Sequence, residues 1–204
     1  YGLSFHHLSS TNGPVDKNNS GDSHTNLNLY GKSIGKSVAI DGEVEYSRDR
    51  YHFYGYDDGI EVMRDTIEQM FNNYGINLNL ANANAGSDLQ YKIFTRFNNL
   101  TDKFDARELG LRTGFKSDYT LNEVSRARLD IDFLTTSYKN PDKISRSLIR
   151  VAPSFVYQTG DFTIDAGVRV VNQNDTLNNE KQTRLFPAVT VTYDLSLKIA
   201  AYAG

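Results

Sequence analysis

The stretch DFTIDAGVRVV, residues 161–171, decides the fold. Phe162, Ile164, Ala166, Val168 and Val170 share one parity, while Thr163, Asp165, Gly167 and Arg169 share the other. Successive side chains of a strand point to opposite faces, so this is a β-strand with one apolar and one polar side. The pattern recurs outward along the chain. In 126–134, Leu129, Ile131 and Phe133 oppose Arg126, Arg128, Asp130 and Asp132. In 37–47, Val38, Ile40, Val44 and Tyr46 oppose Asp41, Glu43, Glu45 and Ser47.

Extended over the chain, the alternation predicts about eleven strands: 1–9, 24–34, 37–55, 71–84, 88–99, 106–118, 124–138, 146–158, 161–172, 184–193 and 195–203. Helical spacing is confined to 59–71, through Ile60, Met63, Ile67 and Met70, which predicts one short helix inside a loop. The expected connections alternate in length. Those at 10–23, 56–70 and 173–183 are long and those at 100–105 and 139–145 are medium, while the ones between them are short. An up-and-down meander puts alternate turns at opposite ends of its strands, and outer-membrane barrels carry short turns at one end and longer loops at the other. A secreted β-sandwich has Greek-key connections of mixed length and strands nearer ~5–6 residues. Several predicted strands instead reach the ~9–11 residues that a tilted membrane strand needs.

Composition fits a barrel. The net charge of -3 supplies no basic field for nucleic acid. There is no Cys, which excludes disulfides and thiolate metal sites. The apolar runs are far shorter than the ~20 residues of a membrane helix. A mean hydropathy of -0.52 and a Tyr-rich aromatic set suit a soluble domain, and they suit equally a barrel whose lipid-facing and water-facing residues alternate and so average to polar.

On the polar parity, charges of both signs run along single strands: Asp41, Glu43 and Glu45 on one, Lys92 and Arg96 on another, Glu108 and Arg112 on a third. These seven are the candidate lumen-facing residues of a water-filled barrel. In 46–56, YSRDRYHFYGY, the parity of Val38, Ile40 and Val44 continues through Tyr46, Arg48, Arg50, His52 and Tyr54. A change from aliphatic to Tyr to cationic marks the edge of a membrane, where amphipathic rings sit at headgroup level and Arg meets anionic headgroups. These five are the candidate interface girdle.

Motifs of catalysis do not assemble. His6 and His7 are adjacent and point to opposite sides of a strand, so they cannot chelate one metal. The spacing of Asp41, Glu43 and Glu45 would suit paired-carboxylate chemistry or a cation site, but no second motif supports either, and a solvated or Arg-paired lumen wall is the better reading. Gly31-Lys32-Ser33 and Gly35-Lys36-Ser37 lack the upstream Gly and following helix of a phosphate loop. Ser10, Ser33 and Ser37 lie in no nucleophile elbow. No enzyme activity, cofactor or metal site is expected.

The segments YGLSFHHLSSTNGPVD (1–16), LYGKSIGKSVAIDGEVEYSRDRYHFYGY (29–56), VAPSFVYQTGDFTIDAGVRVVNQND (151–175) and FPAVTVTYDLSLKIAAYAG (186–204) resemble the barrel regions of Bacteroidota outer-membrane proteins, grouped with TonB-dependent-receptor-like barrels. The resemblance implies an all-β fold, an antiparallel up-and-down meander forming part of a transmembrane barrel, in the cell outer membrane. It implies a pore or receptor role in transport. Its partners would be the lipid bilayer, lipopolysaccharide and other envelope proteins. These residues show no plug-like domain, and they end on Ala-Gly rather than a terminal aromatic. Single-chain bacterial barrels have even strand numbers, so eleven strands are expected to be one barrel domain, 1–204, incomplete at both ends. A barrel subunit of a larger envelope complex is one alternative. A secreted β-sandwich stacking Tyr54, Tyr56 and Tyr74 on a ligand is another.

Overall fold

The computed structural model describes residues 1–11, 20–53, 56–57, 60–196 and 199–203. Its strands form one 11-stranded antiparallel sheet in strict chain order. They are β1 (Gly2–Ser10), β2 (Asp22–Ile34), β3 (Val38–His52), β4 (Glu68–Asn82), β5 (Leu89–Asp102), β6 (Arg107–Asn122), β7 (Ser125–Asn140), β8 (Asp142–Thr159), β9 (Phe162–Asp175), β10 (Glu180–Ser196) and β11 (Ile199–Ala203). The chain is thus the all-β up-and-down meander that its alternation predicts.

The helix expected over 59–71 shrinks to the single turn α1 (Arg64–Ile67). Met70 already belongs to β4, opposite Arg50, while Ile60 and Met63 are exposed. The helical spacing was a coincidence of four apolar residues, of which only Ile67 is buried.

The predicted loops at 139–145 and 173–183 are mostly strand. β7 and β8 stay paired through Tyr138↔Ile144, Lys139↔Lys143 and Asn140↔Asp142, leaving only residue 141 between them. Residue 141 is a proline, which has no amide to donate to a ladder and so sits where pairing ends. Two further turns at this end, β5–β6 and β9–β10, are closed by Asx contacts, in which a side-chain oxygen stands in for a backbone acceptor. Asp102 Oδ1 accepts from the amides of Phe104 and Ala106, both at 2.8 Å, and Asp175 Oδ1 accepts from that of Leu177 at 2.9 Å. At the opposite end, Thr159 and Phe162 pair across a two-residue turn whose Gly160 has φ +55, a conformation that disfavours a Cβ.

Residues directly opposite in an antiparallel register point to the same side. One unbroken row therefore runs across six strands: Leu3, Leu29, Val44, Ile76, Phe97 and Leu111. Parallel rows carry Leu129, Ile131, Phe133, Val151, Ile164 and Val189 on the same side. Val38–Tyr46, Leu129–Phe133, Ile149–Tyr157, Phe162–Val170 and Leu185–Tyr193 bound this apolar band on their strands, with most of these spans close to the ~9–11 residues of a tilted crossing.

Nothing in the described structure covers that side. Leu29, Val44, Leu78, Ile149, Leu185 and Val189 are all exposed, and the buried apolar residues number two, Ile67 and Val156. The accessible surface is 14291 Å², whereas a compact soluble monomer of this mass exposes about 9,600 Å². Among the described residues the sheet has no second layer.

Candidate functional site: the polar face of the sheet

The register places Asp41, Glu43, Glu45, Lys92, Arg96, Glu108 and Arg112 on one side of the sheet, the side opposite the apolar band. It does not bring them into one cluster. Asp41, Glu43 and Glu45 form an acidic stripe on β3, flanked on both strands by asparagines. Asn79 donates to Asp41 Oδ2 at 2.7 Å, and Asn28 and Asn77 donate to the two oxygens of Glu43 at 2.6 and 3.3 Å. Asn26 donates to Glu45 at 3.2 Å. The carboxylates are therefore held by neutral amides, which satisfy their lone pairs without cancelling their charge.

The basic residues lie on β5 and β6. Arg96 stands directly opposite Arg112, and Lys92 directly opposite Lys116. Between the two like-charged pairs Phe94 faces Gly114, with the Arg96 and Arg112 guanidinium carbons 6.0 and 5.5 Å from the ring centroid. That distance is within cation–π range. The ring lies over Gly114, where an added Cβ would meet Phe94 at 2.3 Å. Replacing Gly114 with Val is expected to expel the ring and cost about 1–3 kcal/mol by overpacking, to be read from urea unfolding. Lys116 and Phe94 escaped the sequence reading, although Lys116 has the parity of Arg112. Phe94 was hidden because an aromatic on a polar face breaks the pattern used to find it.

Further along, ion pairs replace amides. Asp132 is 7% exposed and takes Arg112 at 3.4 Å on one oxygen and Arg150 on the other. Arg128 spans two strands, reaching Asp118 at 2.9 Å and Asp165 at 2.6 Å. Arg146 meets Asp175 at 3.2 Å. Glu108 sits apart from these networks, between Leu100 and Tyr138 in the register.

Of the five girdle candidates, Tyr46, Arg48, Arg50 and His52 take the parity of the apolar band, and Tyr54 lies outside the described residues. Tyr46 packs on Tyr74 with centroids 5.1 Å apart and donates its hydroxyl to Asn72 at 3.0 Å. Arg48 reaches Met70 Sδ at 3.1 Å. His52 differs from its neighbours, being only 6% exposed. Its Nδ1 is 2.5 Å from the Gly21 carbonyl oxygen, and Nε2 accepts from Arg64 Nε at 3.2 Å, with Glu68 at 3.6 Å. Burial beneath α1 withdraws it from the exposed position that strand parity implies. A second aromatic row, not singled out in the sequence, lies near the short turns on the apolar parity: Tyr91, Tyr119, Tyr157, Phe162 and Tyr193, with Phe162 and Tyr193 centroids 4.5 Å apart.

α1 is fastened from β5–β6 by Lys103, whose Nζ donates to the Asp65 carbonyl and Oδ1, both at 2.6 Å, and lies 3.5 Å from Glu68. The hydrogen bond to Asp65 raises the ammonium above its ordinary 10.5; burial opposes this, and the charges of Asp65 and Glu68 add to it. A base with a raised folded-state pKa lends its stability fully below the unfolded value and loses it as pH rises through the folded one. Lys103→Met is therefore expected to speed proteinase K cleavage within 60–67 several-fold at neutral pH. The wild type should approach the variant only above pH 10.5.

Among the described residues no group of three or more His, Asp or Glu is arranged to hold a metal ion. An eleven-stranded antiparallel meander with one apolar and one polar face has the architecture of a β-barrel wall. The chain is similar to the FrpB iron transporter from Neisseria meningitidis (F3-3 variant), with a TM-score of 0.62 over 87% of this chain at 13% identity. It spans 36% of that transporter's length, and at this identity the likeness is one of fold. No model of a known protein family and no curated protein matches the sequence.

Proposed function

We propose that this chain forms part of an outer-membrane barrel that serves transport, as a pore or receptor, and performs no catalysis itself. One observation carries the proposal: an apolar band that nothing among the described residues covers, bordered by aromatic residues near the short turns, on a sheet whose other face is charged. In water such a band would be covered by a second layer, and lipid is the solvent that leaves it stable uncovered. The polar face then lines the lumen, where Asp41, Glu43, Glu45, Lys92, Arg96, Glu108 and Arg112 meet water. Tyr46, Arg48 and Arg50 meet the headgroup zone, lipopolysaccharide included. The likeness to an iron transporter supports the transport role, and the resemblance to TonB-dependent-receptor-like barrels of Bacteroidota is compatible with either form of it.

β1 and β11 each pair on one side only. A bare edge in hydrocarbon leaves backbone groups unsatisfied, so further strands complete the barrel, supplied by the same polypeptide or by a partner subunit.

Heat-modifiable mobility tests the reading. The folded protein in detergent should migrate faster on a gel before boiling than after it. A protein that stays folded and monomeric without detergent would overturn the barrel.

A further inference from the structure

We infer that the cationic group on β5 and β6 is a binding site for a small multivalent oxyanion bearing phosphate or carboxylate groups. The inference rests on the lumen reading above and names the class of solute that this wall would handle. Lys92, Arg96, Arg112 and Lys116, with Phe94 and Asn79, line a concavity of about 260 Å³. Like charges directly opposite across a ladder are destabilising, yet here two such pairs stand on one face, Lys92↔Lys116 and Arg96↔Arg112, with only Phe94↔Gly114 between them.

On the β4 side, internal counter-charges are kept away. Among the described residues Lys92, Arg96 and Lys116 make no ion pair, and Arg112 alone reaches an acid, Asp132, at 3.4 Å. β4, which adjoins β5, presents Asn77, Asn79 and Ala81 at the facing positions instead of carboxylates. The acidic stripe of β3 lies one strand further on, roughly 10 Å from β5 at the spacing of paired strands, and Asn77 and Asn79 are already engaged with Glu43 and Asp41. An asparagine strand thus insulates acid from base on the β4 side and leaves Lys92 and Arg96 without a counter-charge, while on the β7 side Asp132 takes Arg112 and Asp130 stands opposite Lys116 without an ion pair to it.

The side chains are also held in place. Phe94, seated over Gly114, fixes the Arg96 and Arg112 guanidiniums against its ring. A pre-positioned guanidinium offers parallel N–H donors that match two oxygens of a carboxylate or phosphate, and the two lysines add point charge at the rim.

Titration calorimetry on the whole protein in detergent, with pyrophosphate and citrate as probes, tests the site. Saturable binding is expected, with preference over chloride at equal ionic strength. The double variant Lys92→Gln with Arg96→Gln should weaken it by about tenfold or more, as removal of charge-assisted hydrogen bonds does. Asp41→Asn, which touches the insulated stripe, should leave it unchanged or tighter. Comparing the probes assigns the preferred oxyanion. Absent binding, binding that chloride suppresses equally, or binding indifferent to the double variant would each overturn the site, provided that the protein keeps its heat-modifiable mobility. Dependence on Lys92 and Arg96 in a protein without such mobility would uphold the site while removing the barrel.

Discussion

Replacing Ile131 by Arg is expected to destabilise the folded protein in a lipid bilayer by about 2–4 kcal/mol, the cost of a guanidinium at the midplane of a barrel's outer face. Ile131 sits in the middle of the apolar band, between Phe115 on β6 and Val151 on β8. Thr135 has the same parity two steps towards the longer loops, and Thr135→Arg should cost about 0–1 kcal/mol because the side chain reaches the headgroup zone. A lysine at Thr190, on the polar face opposite Asp165, should change stability by less than about 0.5 kcal/mol. Urea titrations in vesicles would measure all three. Equal costs for Ile131→Arg and Thr135→Arg would show that the band does not follow the depth of a membrane.

The second large effect concerns Asp132, with Arg112 and Arg150 on its two oxygens. Asp132→Ala strands both guanidiniums beside a nearly buried position. Breaking a fully buried pair costs about 3–5 kcal/mol. Arg112 has 49% of its side chain exposed, so water recovers part of that, and the expected loss is about 2–3 kcal/mol. Arg146 is 55% exposed in its pair with Asp175, and Arg146→Gln should cost less than about 1 kcal/mol. If both variants cost the same, burial is not what gives Asp132 its weight.

Most of the sheet was legible because the parity of a strand is a property of the sequence itself. The alternation of 161–171 and 126–134 put Phe162, Ile131 and Phe133 on one side and Arg128, Asp132 and Asp165 on the other without any knowledge of neighbours. Strand ends were less legible at the loop side. There Tyr138 to Ile144 and Asn172 to Thr183 are rich in Asn, Lys, Asp and Ser, residues that signal turns, yet the backbone ladder extends into them from both sides, as far as Asn140↔Asp142 and Asp175↔Glu180, because pairing depends on register and not on side-chain polarity. The site divided in the same way. Parity alone put all seven charged candidates on one face. Which of them meet a carboxylate, an amide or each other depends on a cross-strand register set by the turns, and Arg112 finding Asp132 while Glu43 finds Asn28 and Asn77 follows only from that pairing.

The meander has a kinetic corollary. Every ladder joins strands adjacent in the chain, from β1 with β2 to β10 with β11. Among the described residues no ladder waits for a strand distant in the chain, so each of these pairings carries only the entropy of a single hairpin connection. Assembly can advance one hairpin at a time, each finished hairpin presenting a templating edge to the next, in the regime of low contact order where folding is fast for a β protein. A lesion in a central strand such as β6 would then halt the zipper there and leave the hairpins before it formed.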